Sequence, residues 1–148
     1  MDSHQKVVFR LEPDEDGYPP ASFEGLWSIP LPNGNLRVDN IPFYVCGISA
    51  DDEIATDSVD GELQFRALVR PSSHSTFRLM LSNPGDQSAI RAELTKLGCT
   101  SEFNQLIGLI AVDIPGDTPI HPFLDYIMDA QAREVLDIEE GALRHSLD

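Results

Sequence analysis

The sequence predicts an α+β fold, with a small bent antiparallel sheet or partial barrel at the N-terminal end and a β-α-β-α unit after it. Three observations carry this. Short period-two runs separated by turn residues fill residues 1–70, the longer helical periodicities fall at about 86–98 and 118–135, and a nearly continuous apolar run, Leu106 to Val112, lies between those two stretches. At 148 residues the chain suits one domain. Its β-rich half covers about 1–70 and its βαβα half about 71–148, and neither is long enough to bury a large core alone.

Val7 to Leu11 reads as the first strand, stopped by Pro13, and Asp14 to Pro20 as a charged, proline-rich loop. Trp27, Ile29 and Leu31 alternate, Asn33-Gly34 follows, and Leu36 and Val38 alternate again. Asn-Gly between two such runs predicts a hairpin closed by a type I′ turn, whose two central residues need positive φ. Pro42 cannot donate to a ladder and belongs at a strand start or edge, so Phe43 to Ile48 reads as the next strand, with Trp27 and Phe43 in the core. Asp51-Asp52-Glu53 reads as a solvated acidic turn and Glu53 to Asp57 as a short strand. Asp60-Gly61 then turns the chain into Glu62–Arg70, with Leu63, Phe65, Ala67 and Val69 on one face.

After Pro71, Thr76 to Leu81 is a strand and Asp86 a helix N-cap. Ala89, Ile90, Leu94 and Leu97 recur at helical spacing, and Gly98 is a natural stop. Leu106 to Val112 has the composition of a strand buried on both faces. If it runs parallel to Thr76–Leu81, the crossover between them is right-handed. Pro119 or Pro122 opens the last long helix, whose apolar stripe is Phe123, Leu124, Ile127 and Met128, continued by Val135. Ile138 to His145 reads as a short terminal helix. By order of elements alone, the second half matches part of a ferredoxin-like fold.

The chain is strongly acidic, with 25 Asp and Glu against 10 Lys and Arg, a net charge of −15. Residues 1–62 hold 13 of those acids and 3 of the bases, and residues 113–148 hold 9 and 2. Such a balance argues against a nucleic-acid binder, which needs a lysine and arginine footprint, and suits a cationic partner. Cys46 and Cys99 are too few for a disulfide scaffold and read as free thiols. Met1 to Phe9 has no sustained apolar run, and no stretch approaches the roughly 20 apolar residues of a membrane span. A cytoplasmic protein that does not enter a membrane is the expectation.

No catalytic motif stands out. Ser72-Ser73-His74-Ser75-Thr76 offers serines beside a histidine, but a nucleophile needs a base within reach and an acid behind that base, which adjacency does not supply. His4, His74, His121 and His145 are scattered and the cysteines form no C-x-x-C, so no metal site or cofactor is expected. Arg66 and Arg70 share a parity on one strand and Arg78 could join them as an anion-binding patch, with His74 beside it. Internal ion pairing is the alternative for these arginines. Tyr18 and Phe23 read as sitting in a loop, and an aromatic in an acidic loop suits contact with a basic surface through cation–π stacking.

Val8-Phe9-Arg10-Leu11-Glu12, Glu24-Gly25-Leu26-Trp27, Asp39-Asn40-Ile41-Pro42-Phe43-Tyr44, Asp60-Gly61, Ser73-His74-Ser75-Thr76-Phe77-Arg78, Leu97-Gly98-Cys99 and Val112-Asp113-Ile114-Pro115 together resemble the DUF4265 family of small bacterial proteins. Where the family carries Ser-Gly-His-Ser-Thr and Gly-Asp, this chain has Ser-Ser-His-Ser-Thr and Ala50-Asp51. The resemblance implies a stand-alone bacterial protein and no particular activity. Size, charge and the lack of a catalytic motif lead to a non-enzymatic protein that covers a basic partner, such as a toxin or nuclease, as an immunity protein does. Its contact residues are expected to be Glu12, Asp14, Glu15, Asp16, Tyr18 and Phe23, with Asp51, Asp52 and Glu53. The alternatives are a regulatory module gripping an anion through Arg66, Arg70, His74 and Arg78, or a hydrolase using His74 and a serine.

Overall fold

The computed structural model describes residues 4–148, so the first residues of the stretch read for a signal peptide lie outside the described residues. Strands β1 (Gln5–Arg10), β2 (Phe23–Pro30), β3 (Leu36–Val38), β4 (Glu53–Val59) and β5 (Glu62–Arg70) form a closed barrel. Neighbours from β1 to β5 run antiparallel, and β1 closes the barrel on β5 in parallel. Two register shifts between β4 and β5 supply the bend that closure needs. Val7, Phe9, Leu26, Leu36, Val38 and Ile54 fill the interior, joined by Val45 and Ile48 from the β3–β4 connection. Full burial of each such side chain stabilises by roughly 1.5–3 kcal/mol.

The hairpin between β2 and β3 differs from the predicted one by a single residue. Leu31 N–H donates to Asn35 O at 2.8 Å and Gly34 N–H donates to Leu31 O at 3.1 Å. Of the turn residues Pro32, Asn33 and Gly34, Gly34 alone has positive φ, at 92°. This is a type I turn followed by a left-handed glycine, with Pro32 in the position that its fixed φ favours. The pairing becomes Ser28↔Val38 and Pro30↔Leu36. A one-residue slip moves every side chain to the other face, so Leu26 and Ser28 point inward and Trp27, expected in the core, is 50% exposed.

The other half contains β6 (Ser75–Leu81), α1 (Gln87–Lys96), β7 (Thr100–Asn104), β8 (Leu109–Ile114), α2 (Ile120–Ala132) and β9 (Leu136–Ala142). Its sheet has the order β7-β8-β6-β9, with every neighbouring pair antiparallel. The unit is therefore β-α-β-β-α-β rather than β-α-β-α. β7, unassigned in the sequence, hairpins into β8, so β8 returns antiparallel to β6, and the strand that α1 reaches parallel to β6 is β7, with β8 lying between them. Ile138 to Ala142, expected in a helix, belongs to β9, because the slot beside β6 outweighs the helix preference of its glutamates.

Gly98, at φ 88°, ends α1. Gly98 N–H donates to Thr95 O and Cys99 N–H to Leu94 O, both at 3.0 Å, a Schellman cap. Ile120, Phe123, Ile127 and Ala130 bury the stripe of α2 against Phe77, Leu79, Ile110 and Val112, whereas Met128 is exposed.

Phe43 to Ile48, expected as a strand, is irregular and belongs to a long connection, residues 39–52, that crosses from the barrel to the second sheet. Side chains replace its ladder. The Glu24 carboxylate accepts the N–H groups of Phe43, Tyr44 and Val45 at 2.6–2.9 Å. Arg78 donates to Tyr44 O and Val45 O, both at 2.9 Å.

Candidate functional site

Every side chain of β6 from Ser75 to Leu79 is buried, and the two faces differ in kind. Phe77 and Leu79 meet the helices, while Thr76 and Arg78 face the crossing segment. Arg78 has no exposed surface. Its Nε donates to Glu139 at 2.8 Å and its Nη atoms serve the two carbonyls named above. Gly141 on β9 leaves room for it, since a Cβ there would strike the guanidinium. A second clamp lies beside the first. Arg144 holds Asp52 with two bonds of 2.9 and 3.0 Å, and Asp52, fully buried, also accepts Ser49 N–H at 2.9 Å and Ser72 N–H at 2.8 Å. Those added hydrogen bonds are what a buried ion pair requires.

Beyond Thr76 this face opens into a cleft of about 290 Å³ lined by residues that include Asp39, Asp51, His74, Thr100, Glu102 and Asp113. His74 stands between two carboxylates. Its Nδ1 meets Asp113 at 2.8 and 3.0 Å, and its Nε2 lies 3.2 Å from Asp51, which also takes Arg37 at 2.6 Å. Burial pushes the Asp113 carboxyl above its ordinary range, and the His74 hydrogen bond pulls the other way. Both ring nitrogens are thus engaged, and the histidine is held in one orientation between the buried Asp113 and Asp51 at the cleft. Among the described residues no serine is seen to complete a nucleophilic pair with its ring. Ser72 Oγ donates to Ala50 O at 2.7 Å, and Ser75 Oγ pairs with His145 Nδ1 at 2.7 Å. Among the described residues no group of three or more His, Cys, Asp or Glu side chains is placed to hold a metal ion.

The expected contact residues divide. Glu12, Asp14, Glu15, Asp16 and Phe23 are exposed. Tyr18 is half-buried against Tyr44, with ring centroids 6.1 Å apart, and burial pushes its phenol up to about 12. Asp51, Asp52 and Glu53 do not form a solvated acidic face. Asp52 is sealed under Arg144, Asp51 is taken by Arg37 and His74, and Glu53 is held below its usual range by hydrogen bonds from Asn35 and Asn33. The arginine patch does not form either: Arg66 pairs with Asp57 at 3.3 Å, Arg70 is exposed on the barrel, and Arg78 is buried in the other sheet. Sequence reading missed Glu24, Arg37, Asp113 and Arg144. Asp113 carries a signal, since an acid in a strand buried at every position must have a partner.

Fold and site together define a small α+β protein in which a closed five-strand barrel is coupled to a helix-backed sheet through the buried Arg78 and the partly buried Arg144, with an acid–histidine cleft at the join. The chain belongs to the family described as "Domain of unknown function (DUF4265)", whose profile matches residues 24–138, a span that includes Glu24, His74, Arg78 and Asp113. It is similar to a solved structure, a hypothetical protein from Neisseria gonorrhoeae, over 99% of this chain and 98% of that one, with a TM-score of 0.79 and 19% identity. At that identity the likeness concerns the fold. No curated protein matches the chain. Among the described residues no helix is long and apolar enough to cross a membrane.

Proposed function

We propose that this protein acts without catalysis by binding a basic protein partner, covering its cationic surface as an immunity protein covers a toxin. One observation supports this above others: much of the chain's own positive charge is used internally. Arg37, Arg66, Arg78, Lys96, Arg133 and Arg144 each pair with a carboxylate of the same chain, while the acids of residues 12–16, with Asp60, Glu62, Asp125, Asp137 and Glu140, face solvent. A net charge of −15 distributed this way steers a basic partner and speeds its association. Two free cysteines support a reducing compartment such as the cytoplasm. The order β-α-β-β-α-β supports reading the second half as a ferredoxin-like unit. The test is capture from the source organism at low and high salt, followed by rebinding of the purified candidate. A one-to-one basic partner whose association rate falls with ionic strength is the expected result, and the absence of any salt-sensitive partner overturns the proposal.

A second reading places a small ligand, or acid–base chemistry, in the His74 cleft. The buried Asp113 behind His74 Nδ1 favours it. A ligand found by thermal shift with the parent, and lost in His74→Ala, would move weight to this reading.

A further inference from the structure

At the other end of the sheet face that carries Arg78, away from the His74 cleft, the surface turns apolar. Tyr18 and Pro20 from the acidic loop, Tyr44 from the crossing segment, and Met80, Ile107 and Leu109 from the sheet side enclose about 240 Å³. Met80 is 40% exposed, Ile107 39%, and Leu106 at the neighbouring turn 95%. None of the six lining residues is charged. Acidic residues stand around them. Asp137 pairs with Met80 across β6 and β9 and shares its face. Asp14, Glu15 and Asp16 stand on the loop that supplies Tyr18, and Asp14 Oδ1 accepts Tyr18 N–H at 3.0 Å, which ties that acid to the Tyr18 backbone. The nearby arginine, Arg78, is buried and already engaged by Glu139 and the crossing segment.

An apolar groove with an acidic rim is complementary to an apolar anchor flanked by cations. We infer that this groove docks a basic segment of a partner protein, with an aliphatic side chain seated among Tyr18, Tyr44, Met80 and Ile107 and with lysines or arginines facing Asp14–Asp16 and Asp137. The inference rests on the basic-partner reading and deepens it by naming the surface and the chemistry of the segment. The apolar anchor supplies the affinity and the rim supplies rate and orientation.

The test uses the full chain and a synthetic lysine-flanked leucine peptide, with two control peptides, one replacing leucine by serine and one replacing lysine by glutamate. Binding is read by fluorescence anisotropy and by backbone amide shifts. The expected result is shifts centred on Tyr18, Met80 and 106–109, a loss of about tenfold or more in affinity in Met80→Glu and, separately, in the surface variant Leu106→Glu, and weakening in Asp137→Lys that fades at high salt. Thermal melting confirms that each variant is folded. Folded groove variants with parent affinity, a serine control that binds equally well, or shifts confined to the His74 cleft would overturn the groove and leave the basic-partner reading standing. Self-association abolished by the groove variants would assign the groove to a second copy and overturn it too. A chain that binds no cationic peptide and no basic protein at any salt overturns both.

Discussion

Arg78→Met keeps much of the aliphatic stem and removes the guanidinium, so it isolates the group that couples barrel to sheet. In the parent, Nε meets Glu139 at 2.8 Å and the Nη atoms meet Val45 O and Tyr44 O at 2.9 Å each, with no solvent on the side chain. The substitution takes a donor from each carbonyl and leaves the half-buried Glu139 without its counter-charge. Removing one partner of a buried pair costs about 3–5 kcal/mol, a large share of the roughly 5–15 kcal/mol that holds a domain together. For a chain of this size about 1 kcal/mol moves Tm by about 2–4 °C, so Arg78→Met should lower Tm by roughly 6–20 °C. Circular dichroism melting at neutral pH, with a urea titration alongside, measures it. Arg78→Lys should fall in between, since an ammonium carries the charge but not the planar fork. Adding Glu139→Gln to Arg78→Met should recover part of the loss, because the stranded carboxylate goes as well. A Tm for Arg78→Met within about 2 °C of the parent refutes the reasoning and assigns the joint to the Arg144 clamp and the apolar contacts.

Gly141→Ala pushes a methyl group against the same guanidinium and against Thr76 O at 3.2 Å. It should cost about 1–3 kcal/mol in urea titration and combine non-additively with Arg78→Met. Burial raises Asp113, so the fold favours its protonated form; the stability it contributes is fully present below the unfolded carboxylate pKa and is lost as pH rises through the folded value. His74→Ala removes the hydrogen bond and charge that oppose this rise, so Asp113 should titrate higher still, read by carboxyl-carbon NMR. Burial pushes the Cys99 thiol up to about 11, whereas Cys46 is exposed. Maleimide at neutral pH should therefore label Cys46 alone in the folded protein and Cys99 only after unfolding, with mass spectrometry as the readout.

Where the signal was local, the sequence showed the fold. β5 is bounded at Glu62 and Arg70 as its alternation indicates, and α1 stops at Gly98 because a left-handed residue is needed there. Trp27 was misplaced by a single residue: Pro32 draws the turn one step earlier, and that step flips the strand. β7 was not legible because Thr100-Ser101-Glu102-Phe103-Asn104 is a mostly polar edge strand with one apolar side chain. The candidate site was half legible. The exposure of Glu12 and Asp14–Asp16 follows from a proline-rich charged loop. The burial of Asp52 does not follow from Asp51-Asp52-Glu53, since its counter-ion Arg144 lies 92 residues away in sequence and reaches it only once β9 has added to the sheet.

The barrel is shut by a short parallel seam, Val7 against Leu63 and Val8 against Gln64. The antiparallel β4–β5 pair beside it runs the length of both strands. Two rungs and the Phe9–Phe65 stack hold this seam, and the β3–β4 pairing is equally short, so local opening of the barrel is expected ahead of any loss of the second sheet. Amides along the β1–β5 line should then exchange with solvent earlier than those between β6 and β8. An opened cylinder has two raw edges, one of them on β5 with the already exposed Leu68 and Val69. Self-association on storage should then follow the seam's opening rate more closely than the global stability.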